Sequence, residues 1–307
     1  MIKIGIAGAD TPLAGELLRI VSRHPDVDIL SAYAPDKAGR PVSSVHHGFI
    51  GESKLNFTSH FDATGLDVAF LLRPIYSESD WVKLMADQPE LRLILFPGTL
   101  GAAMATDSAP VYGLSEIYRK LMVRGARVVR IPDCIAAPAL VALFPLALHL
   151  LLRGNLEINV YGPEDILTLD RVRQAEEEIR DQLARIQSSF TGNVVINASP
   201  VDSPRGLRLH MKLPVMISVE EALKLYDSVY DDHNFSHVVT YPVSTSEVEG
   251  TEKVIVSVSS SDDGMLTLDI ISDPRMRGGA GEAVHIMNLL MGLHEKTGLD
   301  LKPSVYI

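Results

Sequence analysis

Residues 1–25 read MIKIGIAGADTPLAGELLRIVSRHP. The first part, KIGIAGA, is a short apolar run that ends in glycine and predicts a buried strand. The second part carries Leu13, Leu17, Leu18 and Val21 at helical spacing. Thr11 stands where an N-cap belongs and Pro12 at the first helical position. A strand, a glycine turn and a helix in this order let backbone amides and the helix N-terminus hold a phosphate. The residues that line such a turn are Gly8, Ala9, Asp10, Thr11, Pro12 and Leu13. The glycine fingerprint is incomplete, because the positions three and six after Gly8 are Thr11 and Ala14. Taken alone, the motif fits a plain strand–turn–helix equally well.

Working outward, VDILSAY, DVAFLL, LRLILF and ARVVRI read as strands, with SESDWVKLMAD and SEIYRKLM as helices between them. Continuous apolar strands that alternate with helices predict an α/β fold with a parallel sheet covered on both faces. This is a doubly wound Rossmann-type domain over residues 1–152. After Leu152 the pattern changes. Runs of alternating strands, a long charged helix (LDRVRQAEEEIRDQLARIQ) and a shorter one (VEEALKLYDSVY) predict an α+β domain over residues 153–276. The triplet Asp262-Asp263-Gly264 reads as a hairpin turn.

Composition narrows the function. The chain has 307 residues, net charge −11 and no basic stripe, which argues against a nucleic-acid binder. One cysteine excludes an internal disulfide framework and speaks against a thiolate metal site. The longest apolar run, from Ala136 to Leu152, is interrupted by Pro138, Pro145 and His149 and is short for a membrane span. The N-terminus reads as a strand and not as a signal peptide. A soluble, cytoplasmic protein without membrane contact is expected.

Three further motifs carry chemistry. Cys134, in VRIPDCIAAPALVALFPL, stands between a strand and an apolar helix, where a helix dipole favours the thiolate. That suits covalent acyl transfer; a small side chain packed in the core fits the residue alone as well. His210 lies in GLRLHMKLP, on the polar side of an alternating strand with Arg208 and Lys212. It is a general-base candidate or a surface histidine. DPRMRGGAGEAVHIMN, residues 273–288, places three glycines and two arginines before a helix, which suits an anion or a tight packing corner.

In this order these pieces resemble one family. GELLRIVSRHPDVDILSAYAPDKAGRPVSSVHHGF, VYGLSEIYRKLM, IPDCIAAPALVALFPLAL, YDDHNFSHVV, VEGTEKV and RGGAGEAVHIMNLLMGLHEKTGL look like segments of the N-acetyl-gamma-glutamyl-phosphate reductases, relatives of aspartate-semialdehyde dehydrogenase. The resemblance spans nearly the whole chain. It implies a Rossmann NADP domain, an α+β catalytic and dimerisation domain, and a C-terminal segment 277–307 that rejoins the first. The implied enzyme is an NADP-dependent phosphorylating semialdehyde dehydrogenase of amino-acid biosynthesis, a homodimer or homotetramer. Its thiolate attacks an acyl phosphate, and NADPH reduces the resulting thioester to an aldehyde. The nucleophile maps onto Cys134 and the base onto His210. The cofactor segments map onto Gly8 to Ala14 and onto Gly278, Gly279 and Gly281. Metal is not implied.

The loops depart from the family pattern. Asp133 stands beside the thiol and should raise its pKa. The stretch that supplies the substrate arginine reads Phe96-Pro97-Gly98-Thr99-Leu100, leaving Arg73, Arg171 and Arg173 as candidate replacements. Arg73-Pro74-Ile75-Tyr76 replaces Leu-Pro-His-Gly, and Asp273-Pro274 replaces Asp-Asn. The expected activity is reduction of an N-acetyl-glutamyl-type acyl phosphate. The alternatives are a dehydrogenase for another semialdehyde, or a weak or inactive relative that serves as a dimeric binding partner.

Overall fold

The computed structural model describes residues 1–99, 109–215, 217–261 and 265–303. The strands of the first half are β1 (Ile2–Ala7), β2 (Val27–Tyr33), β3 (Val68–Leu71), β4 (Arg92–Leu95), β5 (Val111–Tyr112) and β6 (Val128–Arg130). Those of the second half are β7 (Leu156–Gly162), β8 (Val194–Pro200), β9 (Leu207–Leu213), β10 (Ser236–Val239), β11 (Val254–Ser260) and β12 (Leu266–Ser272). The helices are α1 (Pro12–Val21), α2 (Glu78–Asp87), α3 (Ser115–Val123), α4 (Ala136–Leu148), α5 (Leu169–Ile186), α6 (Val219–Tyr230) and α7 (Ala280–Leu290). The chain forms two compact units. One holds Met1–Pro132 with Gly279–Asp300, the other Asp133–Gly278 with residues 301–303.

The first unit is built on a six-stranded sheet in the order β2-β1-β3-β4-β6-β5. All its pairings are parallel, with registers such as Ile4↔Val68 and Phe70↔Ile94. Every residue of β3 is buried, as a parallel strand covered on both faces requires. Trp81 from α2 is fully buried among Phe61, Leu71, Met85, Leu93 and Leu95. On another side α7 packs against α1 and α3.

The second unit has a six-stranded mixed sheet in the order β10-β11-β12-β9-β7-β8. Its strands alternate, and β9 buries Leu207, Leu209, Met211 and Leu213 while exposing Arg208 and Lys212. β11 and β12 pair antiparallel; the turn expected at residues 262–264 lies outside the described residues.

Sequence reading ends the first domain at 152, but the structure puts α4 in the second unit. The reason is packing. α4 is apolar on all sides, and it is covered by α5, α6, β11 and β12. It continues through Pro145, which has no amide to give the carbonyl of Val141. The Tyr230 hydroxyl of α6 donates to that carbonyl at 2.5 Å instead. The neighbouring Tyr226 hydroxyl donates to the carbonyl of Ala142. No helix among the described residues is long and apolar enough to cross a membrane.

Candidate active site

The thiol sits where the chain turns into α4. Cys134 is buried, with 3% of its surface exposed. Asp133 organises the turn: its Oδ1 accepts from the amide of Ile135 at 2.8 Å, and its carbonyl accepts from Ala137 at 2.8 Å. The side chain thus closes an Asx-type turn ahead of α4, whose N-cap is Ile135. The Asp133 amide donates to Glu178 Oε1 at 2.9 Å, tying the turn to α5. Arg171, in the first turn of α5, reaches back to the same place. Its Nη1 lies 3.5 Å from Cys134 Sγ, and its Nε lies 3.6 Å from Asp133 Oδ2. One guanidinium therefore bridges the thiol and its neighbouring carboxyl.

Gly278 closes the other side. Its φ is +66°, and a Cβ built on it would lie 2.5 Å from the Cα of Cys134. Only a residue without a side chain fits that approach.

The electrostatics follow from burial. Desolvation pushes the Cys134 thiol well above its usual range, and the Asp133 carboxylate adds to the shift; Arg171 opposes both. Desolvation also pushes the Asp133 carboxyl up to about 6, against the pull of Arg171 and the Ile135 amide. Burial works against the Arg171 charge, but Cys134, Asp133 and Asp165 hold its pKa above the ordinary value.

The loop leading to Gly278 is held by charge. Asp273 is fully buried; its Oδ2 accepts from Arg205 Nε and from the Gly250 amide, both at 2.6 Å. Its Oδ1 accepts from the Arg275 amide at 2.9 Å. The Arg275 side chain then pairs with Asp165 at 3.1 Å. Arg277 is buried against Glu252 at 3.2 Å.

His210 is not joined to Cys134 by any hydrogen bond among the described residues. It lies on β9 opposite Asp269 of β12, and its Nδ1 is 3.2 Å from Asp269 Oδ1. Arg208 donates to the same oxygen at 2.8 Å. This is the polar face of the sheet. The helices, including α4 behind Cys134, cover the apolar face. The alternation that places His210 beside Arg208 thus also turns it away from the α4 side.

Arg173 is exposed and carries no hydrogen bond or ion pair among the described residues. Two residues along a helix turn it about 200° from Arg171.

In the first unit, Gly8 has φ +85°, and the amides of Gly8 and Ala9 donate to the carbonyl of Tyr33. Thr11 caps α1 by accepting from Ala14 at 3.2 Å, and Pro12 opens the helix ahead of Leu13. Arg73 folds over the turn. A Cβ on Gly8 would lie 2.9 Å from its Cγ, and its Nη1 pairs with Asp10 at 3.1 Å. Arg73 is thus engaged with the Asp10 loop. A glycine turn, a helix N-terminus and a guanidinium fit the pyrophosphate of a dinucleotide. Gly279 is the N-cap residue of α7, and Gly281 lies in its first turn.

Three site residues escape sequence reading. Glu178 has a signal, since it follows Arg171 by seven positions on the stripe of α5 that carries Ala175 and Ile179. Asp165 and Arg205 have none, because their partners, Arg275 and Asp273, are far along the chain.

No protein-family model matches the chain. The N-acetyl-gamma-glutamyl-phosphate reductases of Phocaeicola vulgatus and Parabacteroides distasonis are each 30% identical to it, over 100% of both sequences. Among solved structures, a probable aspartate-semialdehyde dehydrogenase from Pseudomonas aeruginosa superposes with a TM-score of 0.67 at 17% identity, covering 94% of this chain and 98% of that one. The aspartate semialdehyde dehydrogenase with NADP from Candida albicans gives 0.66 at 14% identity, covering 95% and 98%. These two show the same fold. At 30% identity over its full length, the chain belongs to the N-acetyl-gamma-glutamyl-phosphate reductase family.

Proposed function

We propose that the protein reduces an N-acetyl-glutamyl-type acyl phosphate to the semialdehyde, with NADPH, through a thioester on Cys134. One observation carries the reading: within a reductase-family chain, a lone thiol is bridged by a guanidinium at the start of a helix. The Gly8 turn, Arg73 and the N-terminus of α1 would hold the pyrophosphate of NADPH, which would supply the hydride.

The protein's own part is the thiol. Cys134 and Asp133 are both buried and cannot both ionise cheaply. Passing the Cys134 proton to the Asp133 carboxylate leaves one negative charge, on sulfur, beside Arg171. The sulfur attacks the acyl carbon, a C–S bond forms, the C–O bond to phosphate breaks, and inorganic phosphate leaves with that electron pair. His210 has no step in this sequence, and His210→Asn is expected to keep turnover within about threefold, as for a surface polar change. A loss of about a hundredfold or more, the range for a general base, would return the base role to it.

The test runs the reaction backwards, with N-acetyl-glutamate semialdehyde, phosphate and NADP. Wild type should turn over, and Cys134→Ser should lose at least about a thousandfold. Equal rates in both proteins, or none in wild type across a panel of semialdehydes, would sink the reading. The same reading makes the protein a cytoplasmic homodimer or homotetramer; light scattering on the purified protein reads the oligomer directly. The buried, protonated thiol favours a second reading, a slow relative that retains nucleotide binding. Saturable NADPH binding without turnover would select it.

A further inference from the structure

The unit that holds the thiol also carries an arginine and an acidic residue that no step above uses. Arg275 Nη2 lies 3.1 Å from Asp165 Oδ2, and the same carboxylate acts electrostatically on Arg171. Arg171 in turn touches the sulfur. Both arginines come from fixed backbone. Arg171 is in the first turn of α5, and the amide of Arg275 is held by the buried Asp273. Asp165 lies in the tight turn before α5, where the amides of Ile166 and Leu167 both donate to the carbonyl of Pro163. Side-chain exposure ranks the three: 26% for Arg275, 37% for Arg171 and 60% for Asp165. The carboxylate is the member best placed to leave for water.

We infer that Asp165 is a resident counter-ion on an anion subsite formed by Arg275 and Arg171, and that the phosphate of the acyl substrate displaces it. The inference rests on the reductase reading and adds Arg275 and Asp165 to it as substrate-binding and gating residues. The chemistry favours the exchange. A phosphate offers more charge and more acceptor oxygens than one carboxylate, and arginine is suited to bidentate phosphate contact. An exposed carboxylate–arginine pair holds weakly. Once the C–O bond breaks, the subsite holds free phosphate, and the returning Asp165 carboxylate helps expel it.

The experiment titrates inorganic phosphate calorimetrically into wild type, Asp165→Asn, Arg275→Gln and Arg275→Lys. The phosphate KM of the reverse reaction is measured beside it. Asp165→Asn should tighten phosphate about tenfold, one charge removed from the subsite. Arg275→Gln should weaken it about tenfold or more, and Arg275→Lys should recover part of the loss. Phosphate affinity within twofold of wild type in both Asp165→Asn and Arg275→Gln would overturn the inference, as would tighter binding in Arg275→Gln. The two readings fail separately. If wild type turns over but these variants leave its phosphate KM unchanged, the subsite falls and the reductase reading stands. If the variants shift phosphate affinity in a protein without turnover, the subsite stands and the reductase reading falls.

Discussion

Gly278→Ala is expected to remove nearly all turnover and to destabilise the second unit by about 2–6 kcal/mol, the sum of left-handed strain and overpacking. Two costs combine here. The residue sits at φ +66°, where an L side chain is strained, and its Cβ would lie 2.5 Å from the Cα and 2.7 Å from the amide nitrogen of Cys134. Those are backbone atoms, so a rotamer change cannot relieve the clash. The thiol turn must move, and Arg171 loses its place between sulfur and carboxyl. Displacement of a reacting atom by about 1 Å commonly costs about a hundredfold in rate. Thermal melting and reverse-direction kinetics on the variant check both parts. A variant that melts and turns over like wild type would show that Gly278 does not press on the thiol segment.

Asp133→Asn is expected to split two readouts that usually move together. Removing the neighbouring carboxylate lowers the Cys134 pKa, and alkylation by iodoacetamide near pH 8 should speed up about tenfold. Turnover should fall instead, because the proton acceptor is gone. Cys134 is the single cysteine, so mass spectrometry reads one modification. Asparagine offers a side-chain oxygen to the Ile135 amide as aspartate does, so the turn into α4 is kept.

The same carboxyl sets a pH dependence of stability. Its folded pKa is raised from 3.8 to about 6 by burial. Below 3.8 it is protonated in both states and costs nothing. As pH rises toward 6, the unfolded chain releases the proton before the folded one, and stability falls by on the order of 2–3 kcal/mol. That fall should be absent in Asp133→Asn when urea midpoints are compared at about pH 4.5 and about pH 7, either side of most of the transition. An equal pH dependence in both proteins would remove Asp133 as its source.

What the sequence discloses here is what neighbouring residues determine. The Gly8 turn, the Thr11 cap and the turn at Cys134 that leads into α4 are each set within a few residues, so strand–turn–helix grammar finds them. α4 is harder. Its all-round apolar surface says that it is buried but not where, and its covering partners, α5, α6, β11 and β12, lie later in the chain. Arg171 and Arg173 are equivalent as compositional replacements for an arginine, although the helical period already separates them. Arg73 is hidden for a different reason: its partner Asp10 stands on another strand's loop, and only the fold brings the two side chains together. The alternation of β9 discloses that His210 shares the polar side with Arg208 and Lys212, but its partner Asp269 is 59 residues further on and comes from another strand.

The interrupted first unit has a consequence for how the protein is made. Residues 133–278 are continuous and can assemble as soon as they emerge during synthesis. The unit that begins at Met1 cannot be completed then, because α7 packs against α1, and buried His24 pairs at 3.0 Å with Asn288. The first unit therefore closes only after residues 133–278 have been made, and until residues 279–300 follow them the apolar side of α1 lacks the helix that covers it.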